Sequence, residues 1–91
     1  MDITYDPTKN ARNIADRGLS FELAREFEWE TAVINEDARK DYGERRFQAL
    51  GMIRGRLHML VFTHHASAVH VISLRKANQR ERRRYAQKTQ S

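Results

Sequence analysis

The chain has no cysteine, one proline, one tryptophan and four glycines in 91 residues. Without cysteine there is neither a disulfide framework nor a thiolate metal site, and a reducing cytoplasm is the expected setting. No apolar run reaches the roughly 20 residues that a membrane-spanning helix needs. The acidic start, MDITYD, lacks the basic-then-apolar pattern of a secretion signal, so neither membrane insertion nor export is expected. With so little glycine and proline, Pro7, Gly18, Gly43 and Gly55 carry much of the local punctuation.

Charge is plentiful. Charged residues make up 32% of the chain and hydrophobic ones 40%, the balance of a globular domain with a crowded ionic surface. A single domain over residues 1–91 is expected, near the size at which one core is barely sufficient. The net charge of +5 is unevenly divided. Residues 1–38 hold 4 basic and 9 acidic groups, a balance of −5; residues 39–91 hold 13 basic and 3 acidic groups, a balance of +10. A basic half of this kind is the footprint of a phosphate-binding surface. The alternative is a solvated face whose arginines pair with the acidic half.

The pattern predicts an α+β fold. Ile3 to Tyr5 reads as a short edge strand. Asp6 caps a helix whose first position is Pro7, Ala11, Ile14 and Ala15 form its apolar stripe, and Gly18 closes it. Ser20 caps a second helix with Phe21, Ala24 and Phe27 on one side. Strands are expected over Thr31 to Ile34, Glu44 to Ile53, Arg56 to His65 and Ala68 to Arg75, joined by short turns into an antiparallel meander. Asn78 and Glu81 have capping-box spacing and start a last, very basic helix. That helix has little apolar face beyond Tyr85 and Ala86, and its end, residues 86–91, is expected to fray.

If Ala66-Ser67 form a two-residue turn, His65 pairs with Ala68, Phe62 with Val71, Val61 with Ile72, Leu60 with Ser73, Met59 with Leu74 and His58 with Arg75. The side bearing Met59, Val61, Ile72 and Leu74 is then expected to take the helices. The other side places a histidine beside an arginine.

The four histidines do not suggest a metal site. His64 and His65 point to opposite faces of one strand, and His58 and His64 lie about 20 Å apart at strand rise. Acid–base chemistry suits them better. Attack of an RNA 2′-hydroxyl on the adjacent phosphate needs a base, an acid at the departing 5′-oxygen, and cations around the phosphate. His58, His65 and Glu44 are candidates for moving protons. Arg39, Arg46 and Arg75 are candidates for holding phosphate.

Three stretches taken together, DPTKNARNIADRGLSFELAREF, DARKDYGERRFQALGMIRGRLHMLVFT and VISLRKANQRERRRY, carry a family resemblance. The chain resembles the BrnT toxins of type II toxin–antitoxin systems from residue 4 to residue 85. That likeness implies a RelE-like fold: a small antiparallel sheet with two N-terminal helices packed on it and a C-terminal helix. It also implies a metal-independent endoribonuclease, needing no cofactor, that arrests translation. Such a toxin is neutralised by a BrnA-type antitoxin protein, and operator DNA is reached only through the antitoxin complex. Glu44, Arg46, Arg75, Glu81 and Tyr85 fall on family positions. The resulting catalytic set is Glu44, Arg46, His58, His65, Arg75 and Tyr85. The RNA-binding set is Arg39, Lys40, Lys76, Arg80, Arg83 and Arg84. His64-His65 stand where the family pattern leads one to expect an arginine. A catalytically silent module that binds RNA or antitoxin is the other reading.

Overall fold

A computed structural model describes residues 2–39, 41 and 43–90, and Lys40 lies outside the described residues. Strand β1 (Asp2–Tyr5) leads into helix α1 (Pro7–Arg17). Two short 3₁₀ segments follow, Phe21–Glu26 and Trp29–Thr31. Strands β2 (Val33–Glu36), β3 (Phe47–Ile53), β4 (Arg56–His65) and β5 (Ala68–Lys76) come next, and helix α2 (Gln79–Thr89) ends the fold. The five strands form one sheet in the order β1-β5-β4-β3-β2. From β2 to β5 it is the expected antiparallel meander. β1 departs from it by pairing parallel with β5 at the far edge.

The local signals acted largely as elementary chemistry requires. Asp6 accepts from the Thr8 N–H at the start of α1, and Gly18 takes a left-handed φ of 69° at its end. The β3–β4 turn, Arg54-Gly55, has positive φ at both central residues, as a tight hairpin demands. The predicted second helix is a 3₁₀ segment. Its buried apolar residues, Phe21 and Ala24, and the buried Phe27 that caps its end recur every third position, which suits three residues per turn better than 3.6.

α1 overturns one expectation. Its predicted apolar stripe is exposed, with Ile14 at 45% relative accessibility and Ala11 and Ala15 also on the surface. The inward side is polar instead. Asn13 is buried and its amide donates to the carbonyls of Leu19 and Leu74, at 2.8 and 2.9 Å. Asn10 accepts from the Phe21 N–H at 2.8 Å. Two side-chain amides thus clamp α1 to the following loop and to β5, satisfying backbone groups that burial would otherwise strand.

A second departure decides the faces of the sheet. The β4–β5 register runs as expected from His65↔Ala68 to Phe62↔Val71, and then slips: Val61 faces Ser73, Leu60 faces Leu74 and Met59 faces Arg75. Ile72 is the extra residue of a β-bulge. One face therefore carries Leu60, Phe62, Val69, Val71 and Leu74, which join Phe21, Ala24 and Phe27 in the main core. The opposite face carries Leu50, Leu57 and Met59, and these meet Tyr85 of α2. The N-terminal segments and α2 so lie on opposite sides, and Met59 and Val61 face α2 rather than the N-terminal elements. His58, expected beside Arg75, is instead opposite Lys76 and Gly51, on the main-core side.

Gly51 shows how closely that core is filled. A Cβ built there would collide with the Phe27 ring. Gly51→Ala is expected to cost about 1–3 kcal/mol through overpacking and to lower Tm by roughly 10 °C. Thermal unfolding followed by circular dichroism measures it, and an unchanged Tm would show that Phe27 moves freely aside.

Candidate functional site

β4 extends three residues beyond its last pairing with β3, Phe47↔Phe62. The segment Glu44–Arg46, predicted as strand, runs beside this overhang as loop. There the Glu44 carboxylate meets the His65 Nε2 at 3.2 Å. Two of the three proton-transfer candidates are therefore partners, although 21 positions separate them in sequence. Both side chains are about half exposed, at 49% and 62%, so a ligand reaches them.

The pair stands at the lip of a cleft of about 510 Å³, whose wall includes Ile34, Arg45, Phe47 and Phe62. The Phe47 and Phe62 rings stack with centroids 5.6 Å apart and planes at 26°. The Arg45 guanidinium lies 5.3 Å over the Phe47 ring and is fixed by two hydrogen bonds to Glu36, at 3.3 and 2.9 Å. Thr63 is buried in the cleft wall, and among the described residues its hydroxyl has no hydrogen-bond partner. Sequence reasoning missed this aromatic and cationic column. The available signal was that Arg45 and Phe47, two apart, fall on one side of an extended chain.

The other candidates lie elsewhere. Arg46, half-buried, lies one residue before β3, its carbonyl accepting from the Asp37 N–H at 2.7 Å; the β3 alternation carried back one residue puts it on the α2 face of the sheet, in line with Gln48 and Leu50. Arg75 shares that face but sits beside Met59, six residues along β4 from His65 and so about 20 Å from it. Its guanidinium is bound bidentately by Glu81 of α2, with both contacts at 2.8 Å. The pair is partly buried, at 35% and 12% side-chain exposure. Hydrogen bonding by Arg75, foremost, holds the Glu81 carboxyl below the usual range, and the same bond raises Arg75. Tyr85 docks α2, its hydroxyl donating to the Thr31 carbonyl at 3.1 Å. Between Arg46 and Arg75 the sheet surface consists of Gln48, Val61 and Ser73, all only half covered.

The basic residues of α2 divide by helical position. Taking Tyr85 as the inward direction, Glu81, Arg84 and Lys88 occupy one flank, and Arg80 and Arg83 point outward. The opposite flank, Arg82, Ala86 and Thr89, abuts the β3–β4 turn at Gly55 and Arg56. Arg84 and Lys88 therefore border the half-covered strip. Arg39 is bound bidentately to the buried Asp37, at 2.8 and 2.9 Å. Lys76 is exposed on the main-core side of the sheet, away from Arg75.

His58 is set apart from both ends. It is 4% exposed, and its Nδ1 donates to the Arg56 carbonyl at 2.8 Å. Burial, above all, lowers its pKa. The folded chain thus keeps His58 neutral where the unfolded chain takes up a proton. Stability from this residue is present above about pH 6.5 and is lost as pH falls below it. Wild type should lose more of its urea midpoint between about pH 7.5 and about pH 5.5 than His58→Gln does. Equal losses would show that His58 is hydrated.

Residues 5–81 match the sequence model of a family described as the ribonuclease toxin, BrnT, of a type II toxin–antitoxin system. No curated protein matches the chain.

Proposed function

The chain belongs to the BrnT family of ribonuclease toxins, and from this premise we propose that it is a metal-independent endoribonuclease that inhibits translation and is neutralised by a BrnA-type antitoxin. Membership of a type II system implies an antitoxin partner and an RNA target. The observation that carries the catalytic reading is the Glu44–His65 pair, 3.2 Å apart and open to solvent beside Arg45 and Arg46. Glu44 takes the proton of a 2′-hydroxyl as its oxygen attacks the neighbouring phosphorus. His65, protonated, gives a proton to the 5′-oxygen as the P–O5′ bond breaks. The products are a 2′,3′-cyclic phosphate and a 5′-hydroxyl end. His65 does the work that a family arginine would do at this place on the long strand.

The strand flanking this site continues as the half-covered strip toward Arg75, bordered by Arg84 and Lys88. RNA runs along it, Arg46 holding phosphate near the bond that is cut and Arg75 holding the chain further on. Arg80 and Arg83 on the outer side of α2 add attraction at longer range. The antitoxin covers this cationic surface, and operator DNA is bound through the complex.

One observation favours a second reading. Arg75 is fully engaged by Glu81, so phosphate must compete with a bidentate carboxylate for it. A chain in which that competition fails is a silent module that binds RNA or antitoxin.

Purified protein should cut RNA in EDTA and leave 5′-hydroxyl ends. His65→Ala and Glu44→Gln should each lose about a hundredfold in rate, and Arg75→Ala at least about tenfold. End-labelled RNA on a sequencing gel reads all three. A wild-type rate in His65→Ala and Glu44→Gln together would move proton transfer elsewhere. Bound but uncut RNA would favour the silent module.

A further inference from the structure

The column Phe62–Phe47–Arg45 stops at a planar cation whose outer side faces the cleft. Arg45 is 73% exposed, yet Glu36 fixes its orientation through two hydrogen bonds. An isolated surface arginine is seldom held so firmly over a ring, and Phe47 gains nothing further from a ligand on its own faces, since one meets Phe62 and the other meets Arg45. The open surface is therefore the guanidinium plane. Beside it Ile34 is 46% exposed, one of two large hydrophobic residues so exposed among the described ones. A plane of this chemistry bordered by an aliphatic edge fits a flat, aromatic, electron-rich body. It adjoins the Glu44–His65 pair, where the catalytic reading puts the scissile phosphate, so an occupant attached to phosphate is favoured over an apolar protein side chain.

We propose that this cleft is a nucleobase subsite, in which one unpaired base of single-stranded RNA lies on the Arg45 plane against Ile34. The proposal rests on the ribonuclease reading and adds a specificity site to it. The subsite holds the base next to the scissile bond, so cutting requires an unstacked nucleotide at that place. Glu36 is a positioning residue, since it acts by orienting Arg45.

The test separates the subsite from the catalytic reading by using a ligand that cannot be cut. Short single-stranded oligonucleotides with 2′-deoxy sugars are titrated against the full-length protein, with and without an abasic residue at each position in turn. One abasic position should weaken binding by about tenfold. Arg45→Lys keeps the charge and loses the plane, and Ile34→Thr keeps a β-branched residue at an exposed place. Each should reduce that base dependence by more than half while leaving the salt dependence of binding unchanged. Equal affinity for all the abasic ligands would overturn the subsite, even if the protein cuts RNA. Base dependence that survives in both variants would also overturn it by placing the base elsewhere. Base-dependent binding that is lost in both variants, in a protein that cuts nothing, would support the subsite and refute the catalytic reading.

Discussion

One constraint governs this fold: a single small sheet must bury apolar residues on both faces. β4 does most of that work. Met59 and Leu60 are neighbours in sequence and feed opposite cores. The main-core side is closed by Phe21, Ala24 and Phe27, with Trp29 wedged edge-on against Phe27 and Phe62. Among the described residues the other side receives α2, whose apolar contribution is chiefly Tyr85, with Ala77 just before the helix. Burial is therefore lopsided. The sheet surface left over beyond α2, Gln48, Val61 and Ser73, is only half covered, and the chain's excess positive charge borders it.

The elements themselves were legible because their ends carry side chains with one plain physical role. Asp6, Pro7, Gly18, Arg54-Gly55 and the Asn78–Glu81 box each act where the sequence puts them. The inner side of α1 was not legible. Helical periodicity selects carbon, so it selected Ala11 and Ile14, whereas the helix is held by Asn10 and Asn13. The bulge at Ile72 was equally hidden. Nothing in VISLRK marks an inserted residue, and a slip of one reverses the face of every side chain after it.

The candidate residues could be named from their chemistry but not placed by it. Residue types sufficed to select Glu44, His65, Arg46 and Arg75 as fitting for RNA. Spacing could not show that Glu44 reaches His65, because the contact joins a loop to the far end of a strand. Nor could it show that His58 is buried, since that depends on the Leu60 and Phe62 side of β4 taking the main core. The alternative of ion pairs with the acidic half holds for Arg39 and Arg45, met by Asp37 and Glu36, whereas Arg75 is paired within its own half, by Glu81. For Arg45 the pairing orients the cation over an aromatic ring instead of hiding it.

Glu81 serves two masters. Its Oε1 accepts both from the Asn78 N–H at 3.0 Å, as the helix cap, and from Arg75 at 2.8 Å, as the counter-ion. Attachment of the last helix and the free charge of the sheet are thus linked variables of opposite sign. An anion that wins Arg75 loosens the helix's first turn, and a partner that draws the helix away unmasks the cation together with the oily floor of Leu50, Leu57 and Met59.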